Sequence, residues 1–578
     1  MAPMLQNWFP NLQSFWQSLL HPSDLKPNVL AGLTVGIIAL PLSMALAIAI
    51  DVPPQHGLYT AMIGGVVIAL FGGSKINISG PTAAFVVVLL PIVYQYGLGG
   101  LLLSGLMAGI LLIIMGLTNM GRLIEVVPYP VTVGFTSGIA VVIATLQIKD
   151  LLGLPLPTLT GHFIENAGTI LQSLPQFHWQ EALIGLLTLV TFILWSKQKS
   201  YIPPHLIALL VGTLTALALP YFLPAFQVET IGSRFHYLMD GVSGQGIPPF
   251  LPELSLPWNQ PGADGKPLHL SFELIHDLLG PAITIALLGS IESLLCAVVA
   301  DGMTGTKHQP NKELIGQGIG NIVVPFFGGI PATAAIARTA ASIRSGASSP
   351  LASVVHALFV LGAIVFFAPV LSHIPMAALA ALLIMVAWNM SEAKHFIRIL
   401  KIAPRADVAV LLTCFSITVL FDMVMAVSIG MGLAALLFIS RSIQLTEVKK
   451  WEHQSEHPHL KNLPKEVLVY DINGPLFFGS AQKALHSMAT VNPDTKVLIL
   501  DMSDVSMLDM SAIMVLETIY SRLQAQKIAI IINQCNERLI LKLQKAGIHK
   551  QTGRVDFSKN LEEAIEIAKN SMLNPKLE

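Results

Sequence analysis

Charged side chains are scarce in this sequence, at 12% of 578 residues, against about 25% in a typical soluble domain. With 53% of its residues apolar, most of the chain must face lipid rather than water. Neither sign of charge predominates: 33 Lys and Arg stand against 34 Asp and Glu, the net charge is -1, and no long basic run occurs. That lack of an electrostatic footprint excludes nucleic acid as a partner. Cysteine is nearly absent, and Cys296, Cys414 and Cys535 lie far apart with no CxxC spacing or neighbouring His cluster. Neither a disulfide framework nor a zinc site is indicated, no cofactor is expected, and the three read as small buried thiols. No Gly-rich ATP-binding loop occurs, which excludes primary pumping. The N-terminus lacks a basic n-region and a small-residue cleavage site, while Trp8, Phe9, Phe15 and Trp16 alternate with polar positions. An amphipathic helix on the membrane surface is expected there, rather than a signal peptide.

What the chain has instead is long apolar runs. A membrane-spanning helix needs about 20 apolar residues, and shorter runs can be half-helices packed inside protein. Fourteen are read, at 29–50, 57–72, 81–96, 99–118, 127–148, 181–196, 204–226, 277–300, 314–329, 333–345, 349–371, 375–390, 406–422 and 424–440. Loops on the cytoplasmic side should hold the Lys and Arg. With both termini inside, the inner loops receive Lys75, Arg122, Lys197, Lys199, Lys307, Lys312, Arg344, Lys394, Arg398, Lys401 and Arg405, and the outer loops only Lys149, Arg234 and Lys266.

A polar, Pro- and Gly-rich stretch at 227–276 divides the spans seven and seven, which suggests two structural repeats. The third span of each half is short and follows small residues: Ser79-Gly80-Pro81-Thr82-Ala83-Ala84 in the first, Gly328-Gly329-Ile330-Pro331-Ala332-Thr333-Ala334-Ala335 in the second. Paired interruptions of this kind point to a binding site between inverted repeats. A half-helix that starts in mid-membrane presents unpaired N–H groups and the positive end of its dipole, which suits an anion. The expected cradle is the amides of Thr82, Ala83, Ala84 and Phe85 with those of Ala334, Ala335 and Ile336, helped by the Thr82 and Thr333 hydroxyls. The alternative is that these small residues only allow close helix packing.

Arg338 lies about 7.5 Å along a helix from Thr333. It either reinforces anion selection or snorkels to the inner surface. Glu292, in Gly289-Ser290-Ile291-Glu292-Ser293, is the one ionisable residue deep in the eighth span. An intramembrane acid is a functional candidate by default, here for carrying a proton; the alternative is a neutral acid bonded to a neighbour. Asp301, Lys307, His308 and Lys312 follow and read as a solvated surface, and Asp51, Glu125 and Asp422 fall at span ends.

From about residue 441 the composition turns polar, and strands at 467–472, 496–502 and 527–533 alternate with helices at 511–524 and 537–546. This is the pattern of a soluble α/β domain. The domains are therefore a cytoplasmic or interfacial segment (1–28), a first repeat (29–226), an extracytoplasmic loop (227–276), a second repeat (277–440), a linker (441–464) and the soluble domain (465–578).

The runs Ala31-Gly32-Leu33-Thr34-Val35, Gly57-Leu58-Tyr59, Ser79-Gly80-Pro81-Thr82, Gly134-Phe135-Thr136-Ser137-Gly138 and Gly316-Gln317-Gly318-Ile319-Gly320-Asn321 resemble the sulfate permease family of anion transporters with a C-terminal STAS domain. The resemblance covers nearly the whole chain. It implies a homodimer of fourteen-span subunits in two inverted repeats, in which a core of spans 1 to 4 and 8 to 11 moves against a gate made from the others. Pro331 to Arg338 and Thr304-Gly305-Thr306-Lys307-His308 look most like the bacterial C4-dicarboxylate transporters. Two departures stand out. Many members have Pro-Gln where this chain has Pro41-Leu42. The positions that match the sodium site of bicarbonate members are here Glu292, Cys296 and Ile336, a set poor in the oxygen ligands a hard cation needs. In the C-terminal domain, Ser511 of Ser506-Met507-Leu508-Asp509-Met510-Ser511 aligns with the residue phosphorylated in anti-sigma-factor antagonists, and it also suits a helix N-cap.

The reading is proton-coupled symport of small organic anions such as succinate, fumarate or aspartate across a bacterial inner membrane, with the STAS domain as a regulatory site for a cytoplasmic protein. The alternatives are a sulfate or bicarbonate transporter, or a channel or sensor on the same scaffold. No metal constellation or nucleophile-base pair supports an intramembrane enzyme.

Overall fold

The computed structural model describes residues 10–124, 127–156, 163–198, 200, 202–239, 242–421, 423–451, 463–487, 494–551 and 553–573; Trp8, Phe9, Glu125 and Asp422 lie outside them. The chain divides into two compact units, Met1–Ala434 and Ala435–Glu578.

In the first unit an amphipathic helix α1 (Pro10–Leu20) precedes α2 (Pro22–Ile48) and α3 (Pro54–Phe71), the latter with a π turn at Thr60–Gly64. A two-residue strand β1 (Ser79–Gly80) leads into α4 (Ala83–Leu117). This helix joins the third and fourth apolar runs and breaks at Gly97, where φ is +70° and an added Cβ would stand 2.2 Å from the Gly262 carbonyl carbon. Then come α5 (Tyr129–Leu151), α6 (Trp179–Ser196) and α7 (Pro204–Phe222).

The second half repeats the plan with α8 (Phe272–Thr304), α9 (Pro310–Val323), a strand β2 (Thr333–Ala334), and α10 (Ile336–Arg344). It continues through α11 (Leu351–Leu371), α12 (Met376–Met390), a basic helix α13 (Ala393–Ile402), α14 (Arg405–Leu420) and α15 (Met423–Leu445). Among the described residues ten helical stretches are long and apolar enough to cross a bilayer, and the shorter α9, α10 and α14 fill the remaining apolar runs. The tenth run starts three residues later than read, because Thr333 and Ala334 pair as strand.

The link between the halves is stapled to the end of α5 and the start of α6. Arg234 bonds Asp150 at 2.7 Å and also reaches Glu229, and the Glu229 amide donates to Glu181 Oε1 at 2.5 Å. At the end of α8, Asp301 and His308 are not the solvated pair expected. The His308 ring is buried with its Nδ1 2.7 Å from Asp301, whose carboxylate also accepts the His308 amide and the Thr306 hydroxyl, closing the turn after Gly305.

The second unit is a five-stranded sheet of β3 (Glu447–Trp451), β4 (Val467–Asn473), β5 (Val497–Asp501), β6 (Ala529–Asn533) and β7 (Val555–Ser558) in that order, β3 antiparallel and the rest parallel. Helices α16 (Phe478–Ser487), α17 (Met510–Ala525), α18 (Glu537–Lys545) and α19 (Leu561–Leu573) complete it. Side chains alternate between two cores along β4: Leu468, Tyr470 and Ile472 enter one, Val467 and Val469 the other. Both faces are buried, as parallel sheets require. Two expectations are corrected. The stretch assigned to a linker contains β3, and the N-cap of α17 is Asp509, whose Oδ1 accepts the Ala512 amide at 2.7 Å. Ser511 is an exposed residue of the first turn. A carboxylate both bonds the amides and faces the positive dipole end, so Asp509 fits the cap better than a hydroxyl two residues on.

Candidate functional site

The two interruptions meet. Strands β1 and β2 pair antiparallel, Ser79 opposite Ala334 and Gly80 opposite Thr333, and set the starts of α4 and α10 side by side. Ser79, Thr333 and Ala334 are buried. Non-helical backbone at this depth is tolerated because it is enclosed by protein.

Helix α9 holds the ribbon, and the residues that do so were not foreseen. Glu313 is buried; its Oε2 accepts the Gly73 and Ser74 amides at 2.9 Å, and its Oε1 accepts Asn77 at 3.0 Å and Gln317 at 3.1 Å. Gln317 Nε2 also reaches the Ser79 hydroxyl at 3.2 Å. One turn on, Asn321 exchanges two hydrogen bonds of 2.8 Å with the backbone of Ala332, just before β2. Glu313, Gln317 and Asn321 recur every four residues and so line one helix face; that spacing is the signal that could have found them. The glycines between them serve a separate purpose: a Cβ on Gly316 would stand 2.4 Å from Gly72 Cα, and one on Gly320 2.3 Å from an Ile68 side-chain carbon. On the opposite flank the Ile78 amide donates to the Thr339 hydroxyl and Ser353 bonds the Asn77 carbonyl.

Thr82 is the N-cap residue of α4, so Ala83 and Ala84 begin its first turn, and the Phe85 ring packs on α8 beside Gly289. The Thr82 hydroxyl donates to Glu292 Oε2 at 2.8 Å. Across the ribbon, the Thr333 hydroxyl donates to the Gly289 carbonyl at 3.1 Å and the Ala335 amide to the Ile78 carbonyl at 2.9 Å. These two groups, assigned from sequence to the anion, instead tie β2 to α8 and to β1, because a buried ribbon must satisfy its own polar atoms. The Phe85 amide, also assigned to the anion, donates to the Thr82 carbonyl at 3.3 Å; the first turns of α4 and α10 meet here, as helix starts whose first N–H groups have no acceptor one turn back, with Ile336 exposed at the start of α10.

Arg338 does not snorkel. It is 4% exposed, donates from Nη2 to the Pro81 carbonyl, and interacts electrostatically with Glu292. The Cys296 thiol contacts the Thr339 hydroxyl at 3.2 Å. Among the described residues no group of three or more His, Cys, Asp or Glu is placed to hold a metal ion.

Two helix starts joined by a buried ribbon, with the buried Arg338 and the acids Glu292 and Glu313 beside them, are an arrangement suited to a membrane anion transporter. Comparison with known proteins agrees. Residues 25–414 match the Sulfate permease family and residues 460–564 the STAS domain. The chain is 41% identical over 549 residues to "Putative sulfate transporter YvdB" of Bacillus subtilis, covering 95% of this chain and 96% of that one. It is 30% identical to the bicarbonate transporter BicA of Picosynechococcus, covering 96% of each. The structure of SLC26A9 superposes with a TM-score of 0.81 at 17% identity, over 100% of this chain and 95% of that one. The transmembrane domain of a cyanobacterial BicA superposes with a TM-score of 0.59 at 28% identity, over 72% of this chain and 98% of that one. The chain belongs to the sulfate permease family of multi-pass membrane anion transporters and carries a C-terminal STAS domain.

Proposed function

We propose that this protein is a proton-coupled carrier of a small oxyanion, with sulfate the leading substrate and bicarbonate the second. The anion sits between the first turns of α4 and α10 beside Arg338, and Glu292 carries the proton. The observation that supports this most is the 2.8 Å hydrogen bond from Thr82 to Glu292, because the acid and the anion cradle then share a residue. Two helix N-termini supply roughly half a positive charge each and Arg338 adds one, about two in all, while the Glu313 carboxylate is held by four donors of its own. A neutral Glu292 leaves that field matched to a dianion, whereas an ionised Glu292 cancels about half of it. Anion and proton therefore enter together.

The names of the relatives favour sulfate and bicarbonate over the C4-dicarboxylates suggested by Pro331 to Arg338. The charge balance admits a dicarboxylate as well, so it stays in the panel below. In this proposal both termini are cytoplasmic, the protein works as a homodimer in a bacterial inner membrane, a core moves against a gate, and the STAS domain sets rate or assembly rather than selectivity.

The test is uptake into proteoliposomes with labelled sulfate, bicarbonate, succinate, fumarate and aspartate, under an imposed pH gradient and in counterflow. Glu292→Gln should abolish accumulation driven by the gradient and keep exchange. Undiminished proton-driven uptake in that variant would remove Glu292 from the mechanism.

A further inference from the structure

Behind the cradle lies a polar group that neither the anion nor the proton step uses. His356, on α11, is 0% exposed, and neither ring nitrogen has a hydrogen-bond partner. Arg338 is in the same condition on one side: Nη2 is bonded to the Pro81 carbonyl and Nη1 has no partner. The imidazole and the guanidinium interact electrostatically. Both border the backbone of β1. A Cβ on Gly80 would stand 2.8 Å from Arg338 Nη1, and a Cβ on Gly65 of α3 would stand 3.5 Å from both His356 Nδ1 and the Ser79 carbonyl oxygen. Gly80 thus lets Arg338 Nη1 lie close against β1, and Gly65 leaves its Cβ position open between the His356 ring and the Ser79 carbonyl oxygen. Buried polar atoms are rarely left unpaired, and a buried water is held by two to four polar partners. Arg338 Nη1, the His356 ring and the Ser79 carbonyl oxygen are three polar groups bordering β1 here.

We infer that a structural water is bound between Arg338 Nη1, the His356 ring and the Ser79 carbonyl, and that through it His356 acts as a positioning residue that aims Arg338 at the anion. The arrangement divides the work of the guanidinium. Nη2 fixes it to the backbone ahead of α4, and Nη1 is steered from behind, so the cation cannot swing away when the anion leaves. The inference rests on the anion site proposed above.

The test uses full-length protein in proteoliposomes, sulfate as the ligand, and three variants. His356→Leu removes both ring nitrogens at similar volume. His356→Gln keeps a donor and an acceptor. Gly65→Ala places a methyl group between His356 and Ser79 at ordinary contact distance without altering either residue or Arg338. His356→Leu and Gly65→Ala should each raise KM for sulfate about five- to tenfold with the maximal rate within about twofold, since positioning is lost but the transport cycle remains. His356→Gln should recover most of the affinity, which a merely space-filling role would not give. In an Arg338→Gln background, His356→Leu should add no further loss. If His356→Leu does not fold, Gly65→Ala carries the same test. Wild-type KM in Gly65→Ala, or a full additional loss from His356→Leu on top of Arg338→Gln, overturns the inference and leaves the anion site standing. An Arg338→Gln variant that binds sulfate as wild type does would overturn the anion site itself, and this inference with it.

Discussion

Replacing Thr82 with Val keeps the shape of the α4 N-terminus and removes one hydroxyl, which donates to Glu292 at 2.8 Å. A hydrogen bond to a charged group contributes about 1.5–3 kcal/mol, and one to a neutral group about 0.5–1.5 kcal/mol. Because the substitution strips a donor from Glu292, the efficiency of pH-driven sulfate uptake should fall about ten- to a hundredfold in Thr82→Val. The size of the effect should depend on the partner. In a Glu292→Gln background, measured by exchange because net accumulation is gone, the added loss from Thr82→Val should shrink to about tenfold or less. The assay is a four-protein cycle of initial exchange and uptake rates at fixed internal pH. Val is smaller in polarity but not in volume, so no cavity confuses the result. Equal losses in both backgrounds would show that Thr82 and Glu292 act independently, and the shared-residue coupling would be refuted.

Glu313→Ala should lower the apparent melting temperature of the purified protein, by about 2–4 kcal/mol of stability, because four buried donors lose their acceptor; sulfate-to-bicarbonate preference should be unchanged in the protein that survives, and an unaltered melting curve would remove α9 from its role as the ribbon's support. Cys535 tests the STAS domain: burial pushes its thiol up to about 11, so the thiolate fraction at pH 7.5 is about two orders of magnitude below that of a free cysteine. Alkylation followed by peptide mass spectrometry should be correspondingly slow below pH 9 and quicken as pH rises toward 11, and labelling at the rate of free cysteine would contradict the packing described.

The membrane spans were legible because long apolar runs in a chain with 12% charged residues demand a lipid environment, and the paired Gly- and Pro-containing starts pointed to where the helices break. Finer features were not legible, for physical reasons that differ from place to place. Strands of two residues, such as Ser79–Gly80 and Thr333–Ala334, are too short to show an alternating pattern, so the ribbon that claims the Thr333 hydroxyl and the Ala335 amide could not be read. Glu313 falls one residue before the run read as 314–329, and its four acceptor contacts, made to residues far away in sequence or one turn on, are what explain its burial. Arg338 had two plausible destinations from sequence, and the Pro81 carbonyl decides between them. His356 lies in an apolar helix with no spacing that singles it out, and its neighbours come from α3, β1 and α10. In the STAS domain, strand β3 was hidden in a charged stretch because an edge strand exposes alternate residues to water. Asp509 and Ser511 both suit a cap, and the Ala512 amide chooses the carboxylate.

In the proposed mechanism the anion binds where the starts of α4 and α10 meet. Selenate is a close isostere of sulfate and gives an anomalous signal, so diffraction from crystals grown in it locates the anion directly. One anomalous peak should lie between the first turns of Ala83–Leu117 and Ile336–Arg344, within hydrogen-bond reach of Arg338 or of an amide in either turn, and Ala335→Leu should erase it by crowding the α10 start. A peak elsewhere in the first unit, or an undisturbed peak in Ala335→Leu, would place the anion site away from these helix starts.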